Sequence, residues 1–499
     1  MRLHIEGNIN AYYVQTLCMI FFPGEKFSAQ GDEDPHNLYL SVTENENEMT
    51  ARVTIECDGK EASAEKTLAR REDLTADRQR KLVIGHVILA AAGELLHYRP
   101  SWGMLTGVRP SKVATELLLK GHSKTRVKKM LASDYLVIPK KAALATEVAL
   151  HEQQIIGTPD LRDCSVYISI PFCPSRCSYC SFVSYTSKRL LSLIPEYLTL
   201  LKKEVTEKLR LAKDLGLRVL TVYIGGGTPT ILTAPQLREL LETVSRELDV
   251  STLREFTLES GRPDTIDAEK MAIAKEFGVT RVCVNPQTLC DEVLRGIGRS
   301  HTTKDFYRAY DIAKRSGIRC INTDLIVGLP GDTFTTFSAT FDEILRLAPE
   351  NITVHTFCVK RAAEILRQDN RVYNLRGGDA GKCVDYSQIR AADAGFKPYY
   401  MYRQKNMVGN YENVGFAKEG FEGLYNIYMM EEVHSILAAG AGAVTKLMEY
   451  APPESGKKTV ITRLFNAKYP YEYLDTGVNT SEHDQIVAFY RERGFSLLR

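Results

Sequence analysis

The sequence predicts an α/β protein of two or three domains with a parallel sheet at its centre. Its 499 residues are too many for a single hydrophobic core. From about residue 161 onward, short apolar runs alternate with amphipathic helical stretches. Because parallel strands need crossover connections, this alternation indicates a parallel sheet. Right-handed crossovers would curve that sheet toward a barrel or leave it open and doubly wound.

The composition is that of an ordinary globular protein, with 44% hydrophobic and 25% charged residues. No stretch approaches the roughly 20 apolar residues that cross a membrane, and the first residues lack the features of a secretory signal. We therefore expect a cytoplasmic protein without a membrane span. A net charge of +2 gives no reason to expect a nucleic-acid partner.

An N-terminal α+β domain of unknown role is predicted over 1–160. Its first part, to about residue 70, is predicted to be rich in strands, because 37–57 alternates apolar and polar residues around a hairpin-like turn. Apolar residues at helical spacing then predict helices over 80–96, 110–121 and 139–156. A structured loop between them carries Trp102 and Arg109, which either bind a ligand or anchor the helices against one another.

The central domain is predicted over 161–365 and contains six strands. These strands are predicted at 166–170, 218–225, 254–260, 280–285, 319–327 and 351–357. In parallel sheets with crossover helices, ligands bind beyond the carboxyl ends of the strands. After the last strand the alternation fades, and a small α+β domain that covers the substrate is predicted over 366–499.

The stretch "CPSRCSYC" places Cys173, Cys177 and Cys180 just after the first of these strands, on the ligand-binding side. The other eight cysteines are scattered singly, which is typical of small buried hydrophobic residues in a reducing compartment. A structural zinc site closes with four ligands, and no second cysteine pair accompanies these three. An iron–sulfur cube is normally held by four thiolates; with three, one iron keeps a position open for a cofactor.

A glycine run follows the second strand in "YIGGGTPT" (223–230). Glycine lets the backbone approach a ligand closely, although such a run alone more often marks only a tight turn. Together with "YISIPFCPSRCSYCSF" (167–182), it resembles the radical S-adenosylmethionine (SAM) superfamily. The resemblance implies a partial (β/α)6 TIM-like barrel, a [4Fe–4S] cluster on the three cysteines, and SAM on the open iron. An electron from the cluster then cleaves SAM, and the resulting radical abstracts a hydrogen atom.

Further motifs resemble one branch of that superfamily, the oxygen-independent coproporphyrinogen III dehydrogenases. They are "TLESGRPDT", "VNPQTL", "IGRSHT", "NTDLIVGLPGDT" and "NVGFAKEGFEGLYN", and "MLTGVRPSK" is similar to the HemZ-type members. The resemblance covers about 163–450. It implies oxidative decarboxylation of coproporphyrinogen III propionates to vinyl groups in heme biosynthesis. It also implies one or two SAM molecules and reduced flavodoxin or ferredoxin as electron donor.

The resemblance also assigns roles to individual residues. The cluster and its catalytic chemistry fall to Cys173, Cys177 and Cys180. The SAM contacts fall to Tyr167, Tyr179, Gly226, Gly227, Thr228, Glu259, Gln287, Arg299, Asp324 and the backbone of Cys358. Among these, Arg299 suits a carboxylate because a guanidinium is a planar fork of donors. Candidates for the propionates of the substrate are Lys360, Arg361, Tyr399, Tyr400, Tyr402, Arg403 and Lys405.

Three departures from the family pattern keep alternatives open. Ser169 stands where the family has a histidine, and Phe182 stands where decarboxylating members have a further cysteine. Heme-chaperone relatives have a histidine in place of Tyr425, and a Tyr-Trp pair in place of Met429 and Met430. Besides decarboxylation, the alternatives are a heme-binding, chaperone-like protein and a radical SAM enzyme that performs methyl transfer or ring opening on a tetrapyrrole.

Overall fold

The computed structural model describes residues 1–28, 35–180, 184–358, 378–404, 407–451 and 459–497. Residue contacts divide the chain into two units. The first contains residues 1–150 and two short later segments, one of which ends at Glu412; the second contains the remainder. The division into three domains near residues 160 and 365 stays a prediction.

In its described residues, the first unit combines a four-stranded sheet with helices. The strands are β1 (Arg2–Glu6), β2 (Asn37–Glu44), β3 (Glu48–Cys57) and β4 (Lys60–Ala69). The helices are α1 (Ala11–Phe21), α2 (Ala76–Leu96), α3 (Ser111–Leu119), α4 (Lys124–Ser133) and the greater part of α5 (Pro139–Ile156). The sheet order is β1-β2-β3-β4, parallel between β1 and β2 and antiparallel elsewhere. Burial alternates along β3, so the predicted hairpin is confirmed.

Helix α1 lies in the stretch that was predicted to be rich in strands. Its first turn is capped by Asn10, whose side chain accepts a hydrogen bond from the backbone N–H of Tyr13 at 3.2 Å. Val14, Leu17 and Phe21 then recur at helical spacing and are buried. The helical spacing of these three apolar residues therefore determines the local structure here, although the flanking segments form strands.

Trp102 anchors the first unit. It is fully buried, and its Nε1 donates to the carboxylate of Glu412 at 2.7 Å. Nζ of Lys141 donates to the other carboxylate oxygen at 2.5 Å. The guanidinium carbon of Arg403 lies 5.8 Å from the centroid of the indole ring. Of the two roles open to this tryptophan, the structure therefore supports the anchor.

The second unit is built on the six predicted parallel strands. They are β5 (Asp163–Ile170), β6 (Arg218–Gly226), β7 (Glu255–Leu258), β8 (Arg281–Cys283), β9 (Cys320–Val327) and β10 (Asn351–Thr356). The helices between them are α6 (Lys188–Leu191), α7 (Ile194–Asp214), α8 (Ala234–Glu247), α9 (Ala268–Glu276), α10 (Asp291–Gly296), α11 (Thr303–Arg315) and α12 (Phe334–Leu347). Neighbouring strands follow chain order and are parallel. The partial (β/α)6 arrangement is confirmed, and the sheet is not closed.

Three crossover helices start at a threonine that forms a capping box. Thr233, Thr302 and Thr333 precede α8, α11 and α12, and each hydroxyl accepts a bond from the backbone N–H three residues on, whose side chain bonds back. Each box satisfies two backbone donors that the first turn would otherwise leave unpaired. These threonines fix where the loops of the sheet's carboxyl edge end and the helices begin.

Later strands extend the parallel sheet at both edges. The elements are α13 (Ala380–Asp393), β11 (Lys397–Tyr402), β12 (Asn413–Ala417), α14 (Leu424–Glu431), β13 (Ser435–Ala439), β14 (Val444–Glu449), β15 (Val460–Phe465), α15 (Pro470–Thr476) and α16 (Thr480–Arg491). At one edge β12 pairs antiparallel with β10, and β11 lies beyond it. At the other edge β13 runs parallel to β5, followed by β14 and β15. Within the described ranges, no helix has the length and apolar character to cross a membrane.

Candidate active site

The predicted site residues follow the ends of neighbouring strands in the parallel sheet. Cys173 follows β5, Thr228 follows β6, Glu259 follows β7 and Gln287 follows β8, while Asp324 lies within the longer β9. Carboxyl ends of parallel strands meet at one edge, which is where ligands bind in such folds. The sheet therefore gathers these side chains on one side.

The loop after β5 carries the three clustered cysteines. Cys173 and Cys177 are buried and Cys180 is half-buried. Sγ of Cys173 lies 3.3 Å from Oγ1 of Thr228. Burial raises the pKa of the Cys173 thiol, while hydroxyl hydrogen bonds and the charge of Arg262 act in the opposite direction. The polar neighbours thus favour the thiolate, which is the form that binds metal.

Arg262 ties this loop to two others. Its Nη1 donates to the backbone oxygen of Ser175 at 3.1 Å and lies 3.8 Å from Sγ of Cys177. Its Nη2 donates to Oγ of Ser300 at 2.5 Å and to the carboxylate of Asp264 at 3.2 Å. Arg262 is buried and is not among the residues to which the resemblance gives a role. Its place inside "TLESGRPDT" is the signal that could have found it.

Arg299 makes a second bridge to the cysteine loop. Its Nη2 donates to the backbone oxygens of Gly261 at 2.8 Å and Asn285 at 2.5 Å. Its Nη1 donates to the hydroxyl of Tyr179 at 3.3 Å and lies 3.9 Å from Sγ of Cys177. Among the described residues, its buried Nε has no hydrogen-bond partner. Two guanidinium groups therefore face the same thiol.

Asn285 connects two carboxylates. Its Nδ2 donates to Oε1 of Glu259 at 3.2 Å and to Oδ2 of Asp324 at 2.9 Å. The backbone N–H of Asp324 donates in return to Oδ1 of Asn285 at 3.1 Å. The hydroxyl of Tyr223 donates to the second oxygen of Glu259. The structure thus brings Glu259, Asp324 and Arg299 into one network through an asparagine for which the sequence analysis gave no role.

The two carboxylates differ in their affinity for protons. Burial and the neighbouring Asp324 raise the pKa of Glu259, against the hydrogen bond from Tyr223. Burial also opposes ionisation of Asp324, but His355, whose Nε2 lies 3.6 Å away, and the side chain of Asn322 hold the pKa of Asp324 below its ordinary value. Asp324 is therefore the ionised carboxylate of the pair. The protonation of Glu259 depends on the hydrogen bonds that its carboxylate accepts.

The glycine run brings the second loop directly against the cysteine loop. Gly226 adopts a φ of +103°, which favours glycine. A Cβ on Gly227 would lie 2.4 Å from the backbone oxygen of Phe172, the residue before Cys173. The backbone N–H of Thr228 donates to that same oxygen at 2.7 Å. The close approach requires glycine at position 227.

Gln287 and Cys358 lie at the same edge. Gln287 has a φ of +68°, and its backbone N–H and carbonyl bond to Asp324 and Ile326 at 3.0 Å. Its buried Oε1 has no partner among the described residues. Cys358 is half-buried just past β10.

These residues fit a [4Fe–4S] cluster and SAM. Two guanidinium groups beside Cys177 suit a metal centre held by thiolates, because they offset its negative charge. The buried atoms Nε of Arg299 and Oε1 of Gln287 offer a donor and an acceptor, and buried polar atoms without partners are rare unless a ligand or water satisfies them. The arrangement can therefore hold a metal cluster beside a polar, charged small molecule.

Comparison with known proteins agrees with this geometry. Residues 167–344 match the family described as the Radical SAM superfamily. Over 485 residues the chain is 35% identical to HemZ of Bacillus subtilis, described as an oxygen-independent coproporphyrinogen-III oxidase-like protein, with 95% of each chain covered. The chain belongs to the HemZ-like family of radical SAM proteins. A [4Fe–4S] cluster and SAM are the cofactors of this superfamily, and they are the cofactors of this chain.

Other relatives cover less of this HemZ-like chain. The heme chaperone HemW of Bacillus subtilis is 33% identical over 279 residues, which are 56% of this chain and 70% of HemW. HemW of Escherichia coli is 27% identical over 270 residues, 51% of this chain and 69% of that protein. Among solved structures, the coproporphyrinogen III oxidase HemN of Escherichia coli is 17% identical, with a TM-score of 0.48 over 68% of this chain and 81% of that one.

Three tyrosines stack beside the network of this radical SAM protein. Tyr425 of α14 lies 4.7 Å from Tyr223 and 6.2 Å from Tyr167, measured between ring centroids, and the rings are inclined by less than 30°. Tyr425 is buried against Ile436 and Met448. The residue at the position of the chaperones' histidine is thus part of a hydrophobic core.

Ser169, which replaces the family's histidine, links β5 to the turn after β13. Its hydroxyl donates to the backbone oxygen of Ala441 at 2.9 Å. Its own backbone oxygen accepts from the hydroxyl of Tyr197 at 2.8 Å. This serine has a structural role in the first barrel strand.

Several candidates for the propionates are buried instead of presented to a ligand. Tyr399 and Tyr400 are buried, with ring centroids 4.9 Å apart. Arg403 is buried and donates to the backbone oxygen of Leu105 and to Asn410. Tyr399 and Tyr400 are part of β11, and Arg403 belongs to the anchor around Trp102. Tyr402 is half-buried at the end of β11. Lys360, Arg361, Lys405 and Phe182 lie outside the described residues.

Proposed function

We propose that this HemZ-like protein is an oxidoreductase that decarboxylates coproporphyrinogen III without oxygen, converting two propionates to vinyl groups in heme biosynthesis. The observation that carries the proposal is the network that runs from Cys177 through Arg299 and Asn285 to Asp324. A polar network of this kind beside a metal-binding loop suits the binding and cleavage of SAM, on which the decarboxylation depends. The description of HemZ as oxygen-independent coproporphyrinogen-III oxidase-like, over a match that covers 95% of each chain, supports the same reaction.

Each part of the network has a proposed task. Cys173, Cys177 and Cys180 hold the cluster, and Arg262 fixes the loop that carries them. When bound, the cluster supplies the electron that opens a carbon–sulfur bond of SAM. Arg299 offers Nε to the SAM carboxylate. Its Nη2 is held by two backbone oxygens and its Nη1 by the hydroxyl of Tyr179, so that the guanidinium plane is already oriented.

The remaining residues orient the rest of SAM. The methionine end is assigned to the loop of Gly226, Gly227 and Thr228, whose glycines let it pack directly against the residue before Cys173. Asp324, which is ionised, accepts from a hydroxyl, and Oε1 of Gln287 accepts from a second donor. Tyr167 and Tyr179 flank the reacting end and exclude water. Preorganised contacts of this kind are how a protein directs chemistry that a cofactor supplies.

The proposed reaction removes one hydrogen atom, one electron and carbon dioxide from each of two propionates. The hydrogen atom would pass to the radical that cleavage of SAM supplies, with one SAM consumed per propionate, and the electron would pass to an external one-electron acceptor. The experiment is anaerobic incubation of cluster-loaded protein with SAM, a reductant and coproporphyrinogen III, followed by mass analysis. Two successive losses of the mass of formic acid are expected. Reduced flavodoxin or ferredoxin is the proposed physiological donor, and either should replace the chemical reductant. A gain of methyl mass, or a ring-opened product, would overturn decarboxylation in favour of another radical reaction.

A second candidate is a heme chaperone, which the HemW relatives favour. Heme titration of the purified protein distinguishes it: stoichiometric binding without porphyrinogen turnover would support the chaperone. The burial of Tyr425 in an aromatic stack speaks against a heme ligand at that position.

A further inference from the structure

A second cluster of metal-binding side chains lies in the first unit, apart from the cysteine loop. His36, Cys57 and Asp58 place one ligand atom each within 4.8 Å of one another. The sheet explains why they meet. Asn37 of β2 is paired with Glu56 of β3, so the next pair along this ladder is His36 with Cys57. Asp58 then begins the tight turn to β4, with a φ of +48°.

The imidazole of His36 is held as a metal-bound histidine is held. Its Nδ1 lies 2.9 Å from Oε1 of Glu25, and its Nε2 lies 3.2 Å from Oδ1 of Asp58. A carboxylate on the far ring nitrogen fixes the tautomer and orients the ring toward a metal. In the tautomer whose Nδ1–H donates to Glu25, Nε2 carries no proton. Both Nε2 and the Asp58 oxygen are then acceptors, and a cation can bind between them.

We propose that His36, Cys57 and Asp58 bind Zn²⁺, with Glu25 as the residue that positions His36. Imidazole nitrogen, thiolate and carboxylate are the ligands of zinc in proteins, at about 2.0–2.3 Å. Ligand atoms around a tetrahedral zinc are roughly 3.5 Å apart. The three ligand atoms lie within 4.8 Å of one another, so they need to approach by at most about 1.3 Å. The side chain of Asp58 is 80% exposed and is free to rotate, whereas those of His36 and Cys57 are largely buried and set the site. The described part of the chain supplies three ligands, so one position of a tetrahedral zinc is left for water or a further group.

This site is independent of the proposed function. All four residues belong to the first unit, whereas the cysteine loop belongs to the second. A zinc ion here would join the start of β2, the end of β3 and the turn before β4, and so close one end of the sheet. Its role is structural.

The test uses the full-length protein with its iron–sulfur cluster loaded, so that Cys173, Cys177 and Cys180 are occupied. The protein is dialysed anaerobically against Zn²⁺ and then against buffer, and zinc and iron are counted. Zinc X-ray absorption then reports the ligands. We expect one zinc per chain with a single sulfur ligand at about 2.3 Å. Absence of retained zinc, or a zinc spectrum with no sulfur or with three, would overturn the proposal.

Variants separate this site from adventitious binding. Cys57→Ser and Asp58→Asn should each weaken zinc binding at least tenfold. Glu25→Gln, which keeps all three ligands, should weaken it by about 10-fold to 100-fold. Glu61→Gln removes an exposed carboxylate from the same hairpin, where it is paired with Glu56, and should leave zinc binding unchanged. A far-UV circular dichroism spectrum equal to that of the parent shows that each variant is folded. Zinc binding by Cys57→Ser equal to that of the parent would refute the site.

Discussion

Nη1 of Arg262 lies 3.8 Å from Sγ of Cys177, although the two residues follow different strands of the barrel. The same guanidinium donates to the backbone oxygen and the hydroxyl of Ser175. A single buried cation thus both holds the cysteine loop in place and lies beside one of its thiols.

Arg262→Gln should lower the free energy of unfolding by about 1–3 kcal/mol, because the carboxylate of Asp264 and the loop carbonyl lose a buried charged partner. It should also lower the iron retained after anaerobic gel filtration. Denaturant titration and iron analysis measure the two effects. The control is Arg238→Gln, since Arg238 makes an exposed bidentate pair with Glu276 at 2.7 and 2.8 Å. Arg238→Gln should lower the free energy of unfolding by less than about 1 kcal/mol. Equal losses of unfolding free energy in the two variants would contradict the prediction.

Gly227→Ala should abolish most SAM cleavage. The new Cβ would lie 2.4 Å from a backbone oxygen that no side-chain rotation can move, so the residue before Cys173 must shift. Anaerobic assay of 5′-deoxyadenosine release measures the loss. Gly296→Ala is the matched control, because a Cβ there has nothing within 4 Å and the position ends helix α10. Comparable activity in both variants would mean that the two loops do not need their close approach.

Tyr223→Phe should make SAM binding more sensitive to acid. The hydroxyl of Tyr223 holds the pKa of Glu259 down against burial. Without it that pKa rises, so the carboxylate is protonated at a higher pH and SAM affinity falls at a higher pH than in the parent. Equilibrium dialysis of SAM across a pH series checks this. Tyr307→Phe breaks an exposed bond to Glu343 of 2.7 Å and should leave the profile unchanged. Superimposable profiles for Tyr223→Phe and the parent would exclude this role for the hydroxyl.

His301 should make the fold labile to acid. Burial and the nearby Arg299 lower the pKa of His301 from 6.5 to about 3. The unfolded chain therefore binds one more proton than the folded protein between these values, and stability falls as the pH is lowered through this window. The slope is at most about 1.4 kcal/mol per pH unit. Below the lower value both states are protonated, and this contribution changes no further.

Denaturant titrations at pH 7 and pH 5 test this. His301→Gln should reduce the loss of unfolding free energy between them by about 2 kcal/mol. His483 is exposed on α16, so His483→Gln serves as the control. A loss in His301→Gln as large as in the parent would show that another group binds the proton.

The sequence predicts the six barrel strands to within a few residues, because buried strands alternate with amphipathic helices. The third and fourth strands end earlier than predicted, at Leu258 and Cys283. In each case the following residues leave the sheet to place Glu259 or Asn285 at the site. A strand pattern cannot mark that point, because the same polar residue can continue a strand or leave it.

The sequence does not reveal which distant segments come into contact in the fold. Arg262 acquires its function only when the loops that carry Ser175 and Ser300 meet it. The strand β13 joins the barrel sheet through the pairing of Ser435 with Cys164, and nothing local to either segment specifies that register. Where the resemblance assigns a role to a residue, as for Arg299, that role is suggested in advance; where it assigns none, as for Arg262, only the structure supplies it.

The pairing of Ser435 with Cys164 also sets an order of events during synthesis. The strand that leads into the cysteine loop is β5. It can pair with β13, its second neighbour, only after residues far toward the C-terminus have left the ribosome. Until then the nascent sheet exposes bare edges, which are prone to pair with other chains. A chain truncated before β13 would therefore keep the strand that leads into the cysteine loop at an open edge of the sheet, where it is prone to aggregate.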